Sequence, residues 1–572
     1  MKQFVWLTFS KTSIIILCML RKKIVCSWLT FFLLATCQHS TLPPSEYRGW
    51  GNSPLVLVRE GWLRGKVEPS GVYSFKGIPY ASPPLKNLRW KAPRPHPGWE
   101  GIYEAESFRG TSPQFLPLLG WIIGDEDCLY LNIWRPATPD TNLPVYVWIH
   151  GGGNSIGSAH YVPDYYGENL AKKGNLIFVS LNYRLGPFGW FTHPALRKGT
   201  NHLDNSGNYG TLDILFALHW IQSNIIAFGG NPSAVTIAGE SAGGLNVLSL
   251  LISPLSSGLF HRAMVQSGYT AMISLEQADE NASKIIAKLL VKKHKARSET
   301  EARKLLSTLS AEEIESFLRK LSHREILSVF KGGTLGMTGE ANLIADGTVF
   351  PPGGFDALKE GKIFSIPIIL GSNKEESKIF LSFSRKDWRS LSYQAEARFT
   401  SLRWKVLYVD TIAEALSSNS SVYVYRFDWG AEDTNHVSPL GEKEGKRLGA
   451  FHSLEIPFWL GNDTIQGIFF TPRIFTKANE KGRTALSTLM MNYLIQFVRT
   501  GNPNTENLPP WPSWRSDPQR LGILFDADRE NLRIHWQTEV VTMERIAQMI
   551  KQELPPELQT PLLQKLGLTN GF

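Results

Sequence analysis

The pentapeptide Gly239-Glu240-Ser241-Ala242-Gly243 sets a serine between two glycines at the meeting point of two patterns. A short apolar run, Ala234 to Ala238, precedes it, and an almost wholly apolar stretch of helical length, Gly244 to Ile252, follows. The arrangement predicts a serine on a tight strand-to-helix turn. The glycines let the chain bend sharply and let neighbouring elements come close. The hydroxyl is thrust out at the end of a sheet, beside helix N–H groups that can hold a developing negative charge. The chemistry this suits is acyl transfer through a serine ester. A second match to the same spacing, Gly153-Asn154-Ser155-Ile156-Gly157, lacks the context. Its strand-like run, Val145 to Ile149, ends well before Ser155, and Gly157 to Pro163 is not a helix start. Ser241 is the nucleophile candidate.

A serine nucleophile needs a base, a group to orient the base, and donors for an oxyanion. His150-Gly151-Gly152-Gly153, directly after a strand-like run, offers backbone N–H groups that a carbonyl oxygen can approach without meeting side chains. Six histidines follow Ser241: His261, His294, His323, His436, His452 and His535. His261 follows the turn too closely to leave room for an acid on a later strand. His294 and His323 lie in a charged stretch, His436 in a polar loop, and His535 in an alternating run. His452, between Gly449-Ala450-Phe451 and an apolar segment, is favoured by spacing without the others being eliminated. For the acid, Asn373-Lys374-Glu375-Glu376 follows the strand-like run ending at Leu370-Gly371, at the kind of strand end where α/β sites gather. Spacing does not separate Glu375 from Glu376. Asp346, in Asp346-Gly347-Thr348, reads as a turn residue.

These residues need a scaffold. From Leu55 to about Trp90 the pattern is β-like and broken by turn residues. From Leu129 on, apolar runs (Tyr130–Trp134, Val145–Ile149, Leu176–Leu181, Val235 onward, Ala263–Gln266, Ile366–Leu370, Val422–Phe427) alternate with helical periods such as Leu212–Ile226. That alternation predicts an α/β protein with a large, mixed, mostly parallel sheet flanked by helices. Ser283 to Phe330 is charged and helical and reads as an insertion or cap. Ala485–Arg499 and Val541–Glu553 are helix candidates in the last third. No linker divides the chain after residue 54, so 54–572 reads as one catalytic domain.

The N-terminus reads differently. Arg21-Lys22-Lys23, the apolar run Ile24–Leu34 and then Ala35-Thr36-Cys37 predict a signal peptide over 1–36, with translation starting at Met1 or Met19. Leu34-Ala35-Thr36-Cys37 resembles a bacterial lipobox, with Thr36 a departure before the cysteine. The expectation is an exported protein, lipidated on Cys37 and held to the membrane by that lipid through a tether over 37–53, or else periplasmic or secreted. Of four cysteines, Cys18, Cys26 and Cys37 fall in this region, which leaves Cys128 alone in the body and best read as a small core residue. The net charge of +9 is partly local, in Arg21–Lys23 and Lys292–Arg297, and no nucleic-acid-binding motif accompanies it.

Taken together these stretches are recognisable. The chain resembles the type-B carboxylesterase and cholinesterase family from about Pro54 to Asp528. The matching stretches are Phe75–Ala81, Glu126–Ile133, His150–Gly153, Asn182–Gly186, Phe228–Pro232, Gly239–Gly244, Gln266–Gly268, Asn373–Glu376 and His452–Phe458. The resemblance implies an α/β-hydrolase fold and a serine ester hydrolase acting on a small-molecule ester, with no metal or organic cofactor. It implies Glu376 as the acid and His452 as the base, with Gly152, Gly153 and Ala242 as oxyanion donors and Glu240 and Ser267 as buried support. A lipase or amidase of the same mechanism, or an adhesion protein of this fold, is the alternative. Two departures stand out. The family commonly pairs the cysteine matching Cys128 with one upstream, and Phe108–Asp127 contains none. Leu118 sits near the place of the cholinesterases' choline-binding tryptophan, with Trp121 offset, so choline-ester specialisation is not expected.

Overall fold

The computed structural model describes residues 50–569 except 118, 161, 340, 362, 385, 464 and 466–472. The signal-like region, Cys37 and Leu118 lie outside the described residues.

The centre is a sheet of eleven strands, numbered here in chain order: β1 (Lys66–Val67), β2 (Val72–Pro79), β3 (Tyr130–Pro136), β4 (Leu143–Ile149), β5 (Ile177–Leu181), β6 (Gly230–Glu240), β7 (Arg262–Gln266), β8 (Ile368–Asn373), β9 (Val422–Phe427), β10 (Gly522–Ala527) and β11 (Leu532–Gln537). Their spatial order is β1-β2-β3-β5-β4-β6-β7-β8-β9-β10-β11. From β5 to β10 every pair is parallel; the strands at both margins are antiparallel. The inner strands are apolar on both faces because helices cover both, which is why they read as unbroken runs rather than alternations.

Two helices define the reactive edge. Helix α1 (Tyr209–Asn224) and helix α2 (Ala242–Ile252) are buried almost throughout. The stretch predicted from Ser283 is helical but starts earlier: Leu275–Lys292 is followed by three shorter helices, Glu299–Leu306, Ala311–Lys320 and His323–Leu327. Serines 274, 298, 310 and 322 cap them, and Ser310/Glu313 and Ser322/Glu325 form reciprocal capping boxes. The insertion is pinned to the body by Arg89. That side chain donates to Leu318 O and Leu321 O while forming a buried bidentate pair with Glu126, next to Cys128. Within Phe108–Asp127, which lacks the family's cysteine, Gln114–Phe115 pairs antiparallel with Ile122–Ile123. Trp121, just before the second of these strands, is 65% exposed.

The segment after β5 is clamped to α1 by a fully buried ion pair. Arg184 Nε and Nη2 each lie 2.7 Å from an Asp213 oxygen, and Arg184 N donates to Asp213 at 3.1 Å. The same segment supports the glycine loop, because Tyr183 Oη donates to His150 O at 2.7 Å and Gly186 N donates to Asn154 O at 2.7 Å. Removing one partner of such a pair strands a charge in the interior. Arg184→Leu is expected to cost about 3–5 kcal/mol, read as a lowered urea midpoint, and Arg184→Leu/Asp213→Leu should recover much of it. An unchanged midpoint in the single variant would refute the clamp.

Candidate active site

Strand β6 ends at Glu240 and α2 begins at Ala242, so the whole turn is made at Ser241, with φ 59° and ψ −122°. A non-glycine residue rarely adopts that conformation, and the strain persists because the surroundings fix it. Ser241 N donates to Gln266 O at 3.0 Å, and Leu245 N donates to Ser241 O at 2.9 Å. The two glycines are demanded by backbone crowding. A Cβ on Gly239 would lie 2.5 Å from Gly243 C, and one on Gly243 would run into Ile149 O and stand 2.9 Å from His150 O.

The same crowding brings the glycine loop to the serine. A Cβ on Gly151 would lie 3.1 Å from Ser241 Cβ. Gly152 (φ 105°) and Gly153 (φ 61°) adopt left-handed conformations, and a Cβ on Gly153 would be 2.8 Å from Met337 Sδ. Asn154 is held by Asn246 of α2, whose Nδ2 donates to Asn154 Oδ1 at 2.9 Å. Ser155, the serine of the second match, is buried in a support role: its Oγ donates to Gly153 O at 3.1 Å and accepts from Thr338 N at 3.1 Å. His150 is stacked on Tyr183 with centroids 4.5 Å apart, and burial pushes its imidazole down to about 4, so it stays neutral.

The structure separates the carboxylates that spacing left equivalent. Glu376, at the end of β8, accepts from His452 Nδ1 at 2.6 Å, with Ser267 Oγ and Asn373 N on its other oxygen, each at 2.6 Å. Glu375 points elsewhere, 2.8 Å from Lys378 Nζ and accepting from Ala450 N at 3.1 Å. Among the other histidines, His294, His436 and His535 are exposed, and the His261 ring accepts from Val235 N. Asp346 is a turn residue, accepting from Val349 N and Phe350 N.

His452 is buried. Its Nε2 lies 3.0 Å from Glu240 Oε1, an oxygen that also accepts from Ser453 Oγ at 2.6 Å. The angle to Glu240 is poor, and Nε2 makes no hydrogen bond to Ser241 Oγ among the described residues. Such bonds are commonly open without substrate. Burial pushes the imidazolium down, but the carboxylates of Glu240 and Glu376 outweigh it and hold its pKa well above the ordinary histidine value.

Sequence reasoning missed part of the surround. Glu455 is fully buried, with Oε2 accepting from Asn373 Nδ2 at 2.5 Å. Burial, then the charges of Glu240 and Glu376, raise its carboxyl well above the usual range. The available signal was an acidic residue inside the apolar run Leu454–Phe458. The aromatic neighbours of His452, Trp404 at 5.4 Å and Phe380 at 5.3 Å, carried no readable spacing.

Comparison with known proteins agrees with this geometry. Residues 52–406 and 386–538 match the carboxylesterase family. Para-nitrobenzyl esterase of Bacillus subtilis is 33% identical over 506 residues, covering 82% of this chain and 94% of that protein. Carboxylesterase 1D of Rattus norvegicus is also 33% identical, covering 85% and 91%. The crystal structure of a carboxylesterase from Geobacillus stearothermophilus superposes with a TM-score of 0.64 at 30% identity, covering 85% of this chain and 98% of that one. With a parallel sheet that delivers a strained serine, a glycine loop and a buried His–Glu pair to one edge, the chain belongs to the carboxylesterase family.

Proposed function

We propose that Ser241 is the nucleophile of a carboxylic ester hydrolase for small to medium esters, with His452 as its base and Glu376 orienting that base. The observation that carries the reading is the buried Glu376–His452 bond, whose far ring nitrogen lies 3.0 Å from the carboxylate of Glu240, the residue before the strained Ser241. Ser241 Oγ attacks the ester carbonyl as His452 Nε2 takes its proton. The N–H groups of Gly152, Gly153 and Ala242 receive the oxyanion. His452 returns the proton to the departing alcohol, and water, activated in the same way, releases the acid and restores Ser241. Glu376 keeps the imidazole in the tautomer that leaves Nε2 free to act.

Ser241→Ala and His452→Ala should each lower ester turnover by several orders of magnitude, with little change in thermal midpoint. Glu376→Gln should cost far more in kcat than Glu375→Gln, whose carboxylate serves Lys378. Near-normal turnover by Ser241→Ala, or organophosphate labelling of Ser155, would overturn the assignment.

The raised His452 pKa fixes the sign of two pH effects. Its stabilising contribution is complete below the ordinary value of 6.5 and is lost as pH rises through the raised folded value. A base must be neutral, so kcat/KM runs the other way and its acid limb should lie above 6.5. Glu240→Gln removes one of the carboxylates that raise it and should move that limb to lower pH. A limb at or below 6.5, unmoved by Glu240→Gln, would contradict this.

The loop His150–Asn154 keeps side chains away from the reacting carbon. Acetates of tertiary alcohols should therefore be turned over, and activity on aryl esters should fall as the acyl chain lengthens. A chain-length series rising towards long acyl groups, with no tertiary-ester turnover, would place the enzyme with the lipases.

A further inference from the structure

Helix Leu391–Lys405 does not stop at Lys405 but runs into a single wider turn, Val406–Asp410, before helix Thr411–Leu416 begins. The turn closes from Thr411 N–H to Val406 O, five residues back, and Thr411 Oγ1 donates to the same carbonyl at 2.7 Å. Such π-turns are rare and concentrate at functional sites. A buried ion pair matches its spacing. Lys405 Nζ lies 2.5 and 2.7 Å from the two oxygens of Asp410, five residues on. In an α-helix, residues five apart point about 140° away from each other around the axis. The wider turn brings them to one side, so the pair and the turn support each other.

The turn sets the direction of two aromatic side chains, Trp404 just before it and Tyr408 inside it. With Tyr269 they form a closed triangle. Trp404–Tyr408, Tyr269–Trp404 and Tyr269–Tyr408 are 5.7, 5.8 and 6.3 Å apart, with ring planes 80°, 73° and 66° to one another. All three are partly buried, whereas their neighbours Lys405, Val409 and Asp410 are buried. Trp404 is fixed by Nε1 donating to Gly268 O at 3.1 Å, one residue past Ser267, which holds Glu376. Its ring lies 5.4 Å from that of His452. Behind it, helix Leu391–Lys405 is buttressed by Met543–Glu553 and Pro556–Leu566, with Phe399, Ile546, Ile550 and Leu566 in one cluster.

We propose that Tyr269, Trp404 and Tyr408 form a subsite for a planar aryl or benzylic alcohol portion of the ester, and that the Lys405–Asp410 pair positions it through the π-turn. The proposal rests on the roles given above to Ser241 and His452. The group that leaves is the one His452 protonates, and a ring against Trp404 lies beside His452. Three rings set at steep angles offer a flat guest one face to stack on and edges to meet its own face, a geometry that a saturated ring of equal size cannot use.

The test compares kcat/KM for three acetates, benzyl, cyclohexylmethyl and ethyl, which share one acetyl-enzyme, so that differences report the alcohol alone. The wild-type enzyme should prefer benzyl over cyclohexylmethyl by about tenfold. Trp404→Leu and Tyr408→Leu should bring that ratio near one, chiefly through KM, and Trp404→Phe should keep most of it. Lys405→Met/Asp410→Leu removes both buried charges at similar volume, which avoids stranding either one. It should fold and lose the ratio without losing labelling of Ser241 by a small fluorophosphonate. Failure of wild-type Ser241 to label would defeat the catalytic reading instead, and so is distinguishable. Intact labelling with a benzyl ratio near one in the wild type, or a ratio that survives both leucine variants, would overturn the subsite. A ratio that survives the double variant would overturn the positioning role of the pair. A preference for acetylcholine over its uncharged carbon analogue, 3,3-dimethylbutyl acetate, would make the triangle a cation site and overturn the neutral-ring assignment.

Discussion

Three buried carboxyl groups converge on one imidazole, and the site follows from how the protein tolerates them. Taking a carboxylate out of water is costly unless it is paired and hydrogen-bonded. Glu376 is satisfied by His452, Ser267 and Asn373 N; Glu240 has Ser453 Oγ and the far side of the imidazole; Glu455 has Asn373 and a strong tendency to keep its proton. His452 is thus the positive counterweight to two of them at once. That anchors its ring at Nδ1, sets a second carboxylate beside Nε2, and makes its proton the quantity on which the charge balance turns.

Three serines around the site carry local backbone strain. Ser241, Ser267 and Ser453 all have positive φ, at 59°, 47° and 75°. Each sits where the chain must reverse within one residue while still presenting a small polar group. Such conformations cost of order 1–3 kcal/mol each and persist only where the surrounding structure over-determines them. Parallel strands provide that support. Registers Gly239–Ile149, Glu240–Gln266 and Gln266–Gly371 bring β4, β6, β7 and β8 to an end together, so their following loops share one edge.

Much of this was legible beforehand, for reasons that differ by element. The inner strands announced themselves because burial on both faces leaves uninterrupted apolar runs, and the Ser241 turn did so because backbone crowding leaves only glycine at 239 and 243. Boundaries were less clear. The helix read from Ala485 begins at Glu480, because its first turn is largely charged and polar and shows no apolar period. Strand β6 starts at Gly230, before a register shift that breaks its pattern. Glu375 and Glu376 were inseparable because both follow one strand end, and what tells them apart is distant in sequence: His452 for Glu376 and Ala450 N for Glu375. The π-turn after Trp404 was invisible because one widened turn leaves no repeat to detect.

The meeting of Gly239, Gly243 and Gly151 with their neighbours has a mechanical consequence. The Ile149 and His150 carbonyls bear directly on Gly243, and Gly151, with no side chain of its own to act as a cushion, bears on the Glu240 carbonyl, on Glu240 Oε2 and on Ser241 Cβ. Contacts of main chain on main chain have almost no rotameric slack. The serine turn and the glycine loop are therefore joined as one stiff body, and thermal displacement of either carries the other along. Fluctuations of the sheet then change where the pair sits far more than they change the gap between them.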